Sequence, residues 1–434
     1  MKILFLTNLY PPHSIGGYEL ICESVNRAMK ARGHKTFVLT SNHQVSEASA
    51  LNEQDVRRSL RVHGFFGHPW LGIGKLCGLE LHNNAELRST VEEFQPDVIH
   101  VFNLGGISKS LTHTIERLGI PVVYFVSDHW TTQSLDADVW LDWWNRPASS
   151  KMQGLARDIF ARAGLREKWD ADAPTQPADE VKFRRAYFCS EFLRRKAIAH
   201  GRDVSHAAVI HNSVDTKRFH GKPASLDGSF DRLLFVGRLT PEKGIQTVLN
   251  AVNLLKERVP GTLTVCGRGE KFYERELHRF VQTNNLPVKF VHATSEEMPA
   301  IYRSHDALIF ASEWDEPFAL TPLEAMACGL PVISTTTGGS AELFRHGKNA
   351  LTFAAGSELE LAQQIVALHR IPELRNRIAR AGYAEVRELY SEETILDRVE
   401  AYLVETVETW EAEPVHPLED IIVHDLEPSQ LTHA

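Results

Sequence analysis

Two glutamates, Glu316 and Glu324, stand eight residues apart in the stretch DEPFALTPLEAMACGLPV, and each has a different claim to chemistry. Thr321-Pro322-Leu323-Glu324 reads as a capping box, with Thr321 at the N-cap, Pro322 at the first helical position and Glu324 reaching back to the Thr321 amide. Glu316 has no such local role. It follows the apolar run 307–311, so it belongs at the carboxyl end of a strand beside the amides of a helix start, where open α/β sheets bind ligands. A carboxylate there repels phosphate and suits something neutral and hydroxylated, such as a sugar.

A second constellation has the opposite charge. In LLFVGRLTPEKGIQTVLNAV an apolar strand leads to Gly237-Arg238, and Thr240-Pro241 opens a helix with Ile245, Val248, Leu249 and Val252 on its apolar face. Lys243 falls in its first turn, where the macrodipole opposes a cation by a few tenths of a kcal/mol unless an anion lies between. Arg238 and Lys243 read either as a diphosphate clamp or as a solvated lysine beside a surface-paired arginine. Gly16-Gly17 precede another helix after the first strand and would let backbone amides approach a ligand, or form an ordinary turn. FVSDHWTT closes a strand with Ser127, Asp128 and His129, a place for a ligand group or a structural histidine.

Three weaker signals remain. Asp136 and Asp138 have the spacing of a divalent-metal pair, but no strand precedes them at the right distance, and no metal site is expected. Residues 151–169 form a helix with Met152, Leu155, Ile159 and Phe160 on one side and Lys151, Arg157, Arg162, Arg166 and Lys168 outside it. Such a helix docks on its own domain or makes peripheral contact with an anionic membrane. Trp140, Trp143 and Trp144 are core or a sugar-stacking platform.

Elements with the right spacing surround these residues. Short apolar strands are predicted at 3–7, 36–40, 98–102, 122–126, 186–189 and 209–210, then at 233–236, 262–266, 288–291, 307–310, 331–334 and 351–353. Strands so short and apolar, separated by helices, imply parallel sheets covered on both faces. The 434 residues suit two doubly wound Rossmann-like domains. The expected division is 1–212, joined by a C-terminal helix at about 388–412, then 213–387, with an acidic tail at 413–434 and a surface loop at 170–179. A net charge of -9 argues against nucleic acid as a partner. Five scattered cysteines and an N-terminal strand in place of a leader suggest a cytoplasmic protein, in solution or at the membrane surface.

Taken together these stretches resemble the retaining glycosyltransferases of family 4 (glycosyl transferases group 1), with GT-B architecture. Glu316 and Glu324 match the family's E-x7-E signature, GRLTPEKGI its phosphate-binding stretch, YPPHSIGGYEL its N-terminal glycine loop, FQPDVIHVF a strand of its first domain and HNSVDTKRF the start of its second. The resemblance implies that Arg238 and Lys243 bind the donor diphosphate and stabilise the leaving group. It implies that Glu316 contacts the transferred sugar beside the backbone of Phe318, Ala319 and Leu320, and that Glu324 hydrogen-bonds the nucleotide ribose. Gly237 and Thr321 complete the donor set, while Gly16 and Gly17 line the cleft from the other domain. Ala319 and Ser213 stand where the family has glycine. Aligned on Asp128, Ser127 falls at a family histidine position, which leaves His129 as the expected catalytic histidine. The implied reaction moves a sugar, a hexose by expectation, from a nucleotide diphosphate sugar to a hydroxyl of a carbohydrate or lipid-linked acceptor, with retention and without metal or cofactor. A sugar-nucleotide epimerase and a catalytically silent nucleotide-sugar-binding protein are the rival readings.

Overall fold

The computed structural model describes residues 1–13, 16–43, 54–63, 72–135, 138–223, 229–259 and 261–411. Two parallel sheets organise them. The first contains β1 (Lys2–Leu6), β2 (Lys35–Ser41), β3 (Val56–Leu60), β4 (Val98–Val101), β5 (Val122–Val126), β6 (Ala186–Phe188) and β7 (Ala208–Val209), in the order β3-β2-β1-β4-β5-β6-β7. The second contains β8 (Arg232–Val236), β9 (Thr262–Cys266), β10 (Val288–Val291), β11 (Ala307–Phe310), β12 (Val332–Ser334) and β13 (Leu351–Thr352), in the order β10-β9-β8-β11-β12-β13.

The strand sequences explain the layering. Ile3, Leu4, Phe5 and Leu6 are all 0% exposed, as a strand covered on both faces requires. In the second sheet Leu233, Phe235, Val265, Ile309 and Ile333 join Ile245, Val248 and Val252 of the helix Ile245–Leu255 in one core. The two compact units comprise Met1–Tyr124, Gln133–Arg185 and the chain from Tyr402 on, and Phe125–Thr132 with Ala186–Ala401. The division falls inside β5 and again inside the last helix, Glu392–Thr409. The tail 413–434 and Asp136 lie outside the described residues.

Several local expectations are corrected. β3, VRRSL, was not among the predicted strands, because it is a sheet edge, paired only with β2, and carries arginines that stay partly exposed. The expected helix 151–169 is two helices, Lys151–Arg162 and Leu165–Asp172, broken at Gly164 with φ +64°. The second of these runs into the expected loop at 170–179. Thr240-Pro241 opens only a 3-10 turn, Pro241–Lys243, so Lys243 precedes the helix instead of lying in its first turn. Trp140 and Trp144 are 0% and 2% exposed and belong to a core with Leu76 and Cys77, which rules out a stacking platform for those two rings. No helix among the described residues is long and apolar enough to cross a membrane.

Candidate functional site

The strand order of the second, all-parallel sheet reverses at β8, which has β9 on one side and β11 on the other. Loops leaving the carboxyl ends of strands on either side of such a point diverge and leave a crevice. The turn after β8 carries Arg238 and Lys243, and the loop after β11 carries Glu316. Gly244 sits between these loops at φ +69°, and a Cβ there would lie 1.9 Å from the Ala311 carbonyl oxygen, so only glycine permits the approach.

The residues expected to hold opposite ends of a donor meet each other here. Lys243 Nζ lies 2.5 Å from Glu316 Oε1, with the two side chains only 17% and 8% exposed. The same carboxylate oxygen accepts a 2.6 Å hydrogen bond from Ser312 Oγ, a residue buried to 1%. The anion that offsets a cation near this helix start is therefore Glu316. Arg238 is different: it is exposed, and its guanidinium makes no hydrogen bond or ion pair among the described residues. It lines, with Gly237, Arg268 and His292, a cavity of about 300 Å³ between the ends of β8 and β9.

The backbone around Glu316 is fixed from the β12 side. Gly339 N donates to Glu316 O at 2.6 Å, and Gly338, at φ +58°, could not carry a Cβ without approaching Glu316 N and O to within 2.6 Å. Phe318 O accepts from Asn212 Nδ2 at 3.0 Å, and the Phe318 ring stacks on His211 with centroids 4.7 Å apart. Ala319 N donates to Ser340 Oγ at 3.0 Å.

Thr321 and Glu324 do not form the expected capping box. The helix Leu320–Ala327 begins two residues earlier, with Ala319 at the N-cap and no side chain capping it. Glu324 turns instead to Tyr302, whose hydroxyl donates to Oε2 at 2.7 Å. Burial pushes the Glu324 carboxyl up from 4.5 to about 7.

His129 is 6% exposed, its Nε2 lies 3.4 Å from the Asp315 carbonyl oxygen, and its ring meets Trp314 edge-on at 5.2 Å. Burial, then the Lys196 charge, holds the imidazole below its ordinary range. Its Nδ1 is buried without a hydrogen-bond partner among the described residues. Ser127 instead shares a 3.3 Å contact with Asn212 Nδ2.

Gly16 and Gly17 belong to the other unit, where Gly16 N donates to Glu19 Oε2 at 3.0 Å and a Cβ on Gly16 would meet nothing within 4 Å. Asp138 is committed to capping: it accepts from Trp140 N, Leu141 N, Lys109 N and Ser108 Oγ, which leaves little for a metal.

Ser312, Tyr302, Gly338 and Asn212 were missed by the sequence reading. The Gly338-Gly339 pair after an apolar strand was the one legible signal. Ser312 and Tyr302 are ordinary residue types that gain meaning only from what they touch.

Residues 15–218 match the sequence profile described as Glycosyltransferase Family 4, and residues 217–385 that described as Glycosyl transferases group 1. The D-inositol 3-phosphate glycosyltransferase of Pseudarthrobacter chlorophenolicus is 29% identical over 386 residues, 85% of this chain and 85% of that protein. The glycogen synthase of Mycobacterium tuberculosis is 25% identical over 405 residues, 88% and 89% of the two chains. Among solved structures, Anabaena HepE in complex with UDP and glucose superposes with a TM-score of 0.65 at 20% identity, over 93% of this chain and all of the other, 100%. That likeness shows the GT-B fold.

Proposed function

We propose, for a chain that belongs to the family 4 (group 1) glycosyltransferases, that it moves a sugar from a nucleotide diphosphate sugar to a hydroxyl of a carbohydrate or lipid-linked acceptor with retention of configuration. The reading rests on one observation, the buried Lys243–Glu316 pair at the point where the strand order of the second sheet reverses, with Arg238 in the same turn after β8. The arginine supplies a fork for phosphate oxygens, and the lysine follows once Glu316 has sugar hydroxyls to accept from.

In this reaction the bond between the anomeric carbon and the diphosphate oxygen breaks while the acceptor oxygen bonds to the same face. The acceptor proton passes to the departing phosphate, and Arg238 and Lys243 stabilise the charge that gathers there. Two cations make a divalent metal dispensable in this scheme. Glu324, above the usual carboxylate range, offers a donor and an acceptor to the ribose hydroxyls. The transferred sugar is a hexose in this proposal. His129, whose Nε2 lies beside the Asp315 carbonyl oxygen in the Glu316 loop, is a further side chain assigned to the sugar in this proposal.

The test is thermal stabilisation by a panel of nucleoside diphosphates and their sugars, beginning with UDP and UDP-glucose, on the wild type and Lys243→Ala. A shift specific to one nucleotide and absent from the variant supports the donor assignment; no shift with any member of the panel sinks it. Turnover that persists in EDTA and gives an α-configured product from an α-configured donor, read by proton NMR, tests the metal-free and retaining parts. Release of free nucleotide without an acceptor would favour the epimerase.

A further inference from the structure

The second unit has a larger cavity at the opposite end of the same sheet. About 410 Å³ in volume, it falls within the range of small-molecule sites, roughly 300 to 1,000 Å³. It opens at the amino ends of the strands: Arg232 is the first residue of β8, Asp306 immediately precedes β11 and Pro331 immediately precedes β12. A five-residue strand spans about 15 Å, so this cavity and the Arg238–Glu316 crevice are separate places.

Its wall is strongly one-signed. Among the described residues Lys222, Arg232, Arg303 and Arg375 line it, against Asp306 as the one lining carboxylate. That carboxylate is fully engaged: Oδ1 accepts from Arg232 Nη2 at 2.7 Å, and Oδ2 from the amides of Asp231 and Arg232 at 3.1 and 2.9 Å. Among the described residues no other acidic side chain of the wall remains for Lys222 and Arg303. Lys222 is exposed and makes no hydrogen bond or ion pair among the described residues. Arg303 spends one nitrogen on a 3.3 Å contact with the His220 carbonyl oxygen, and its other N–H groups are left for a ligand.

Cations gathered round a concave surface repel one another, and the low-dielectric walls concentrate their field. A chain with a net charge of -9 has no general excess of cations to scatter here. The floor is also shaped closely. Gly221 packs against the end of the helix Leu320–Ala327 so tightly that a Cβ would lie 2.1 Å from Cys328 O, and Gly329, at φ +84°, faces Lys222 in the same way. We propose that this cavity is a second binding site, for a small phosphate-bearing anion, held by Lys222 and Arg303 independently of the donor crevice.

The ligand chemistry is a phosphate group, which inorganic phosphate or a phosphate monoester of a small metabolite would supply. Calorimetric titration at low ionic strength with inorganic phosphate and, separately, with glycerol 3-phosphate distinguishes the two sources by which binds more tightly. The expected result is one equivalent bound by the wild type and by Lys243→Ala alike, with the dissociation constant raised at least tenfold in the Lys222→Ala/Arg303→Ala double variant. The charge-conserving Lys222→Arg/Arg303→Lys variant should retain binding within a few-fold. Both side chains are exposed, so the double variant should melt with the wild type when unliganded. The proposal is overturned if neither probe binds the wild type, if the double variant binds as well as the wild type, or if Lys243→Ala alone abolishes binding, which would assign the phosphate to the donor crevice.

Discussion

Glu316 and Glu324 are separated by eight residues and by a single helix start, yet their surroundings differ in kind. Glu316 faces the Lys243 ammonium and the Ser312 hydroxyl on one oxygen. Glu324 has the Tyr302 hydroxyl on its Oε2, and burial carries its carboxyl to about 7. The spacing that makes the two look like a matched pair in sequence conceals a division of labour. One carboxylate is held by a cation from another loop, whereas the other is held in a pocket that favours its protonated form. What separates them is tertiary: the turn after β8 reaches Glu316, and the helix Met298–Arg303 reaches Glu324.

The largest effect is expected from Lys243→Ala. It leaves the Glu316 carboxylate buried without its cation, and breaking such a pair typically costs about 3 to 5 kcal/mol. Urea unfolding should show a loss near the lower end of that range, because Lys243 is 17% exposed. Adding Glu316→Gln to the lysine variant should restore part of the loss, since an amide needs no counter-charge. An unchanged unfolding midpoint in Lys243→Ala would mean that the pair does little and that the contrast between the two glutamates is superficial.

Glu316→Gln alone sharpens the contrast through function. Sugar transfer should fall by roughly a hundredfold in kcat/KM, the scale of losing one positioned electrostatic contact. The free nucleoside diphosphate should bind no more weakly than to the wild type, because the substitution releases Lys243 to the phosphates. Parallel losses in transfer and in nucleotide binding would instead assign the carboxylate a mainly structural role.

Glu324 makes the contrast visible in pH. Between 4.5 and about 7 the folded chain keeps a proton on this carboxyl that the unfolded chain releases. The stability this group contributes is therefore full below about pH 4.5 and lost as pH rises through 7, a change of about 3 kcal/mol. Glu324→Gln should flatten that slope when unfolding free energies at pH 5 and pH 8 are compared. If wild type and variant show the same slope, the carboxyl is not held protonated by the fold.

The difference between the glutamates also marks how far the sequence could be read. Continuous apolar runs announced the strands of both sheets, and the charged motifs sat at the expected strand ends because parallel strands concentrate function there. β3 escaped because an edge strand does not need a continuous apolar run. The break at Gly164 and the 3-10 turn before Gly244 escaped because one left-handed glycine redirects the chain, and residue type alone does not reveal when it will. Within the site, Glu316, Arg238 and Lys243 were legible from charge and position. The pairing of Lys243 with Glu316 was not, since it joins side chains 73 residues apart. The capping box at Thr321 failed because Tyr302, 22 residues upstream, offers Glu324 a buried partner that no local pattern records.

Ser312 is the smallest and most discriminating case. Its hydroxyl donates to Glu316 at 2.6 Å, and its carbonyl oxygen accepts from Thr335 Oγ1 at 2.7 Å, so it ties the β11 loop to the β12 loop beneath the ion pair. Ser312→Ala removes one hydrogen bond to a charged group while leaving Lys243 in place, which should cost about 1 to 2 kcal/mol in unfolding free energy. If the serine fixes the rotamer of Glu316, kcat should fall several-fold more than KM rises, and the loss should disappear when Ser312→Ala is made in a Glu316→Gln background. An equal loss in both backgrounds would mean that the hydroxyl supports the loop alone, and that Glu316 is aimed by its cation without help from the strand beneath it.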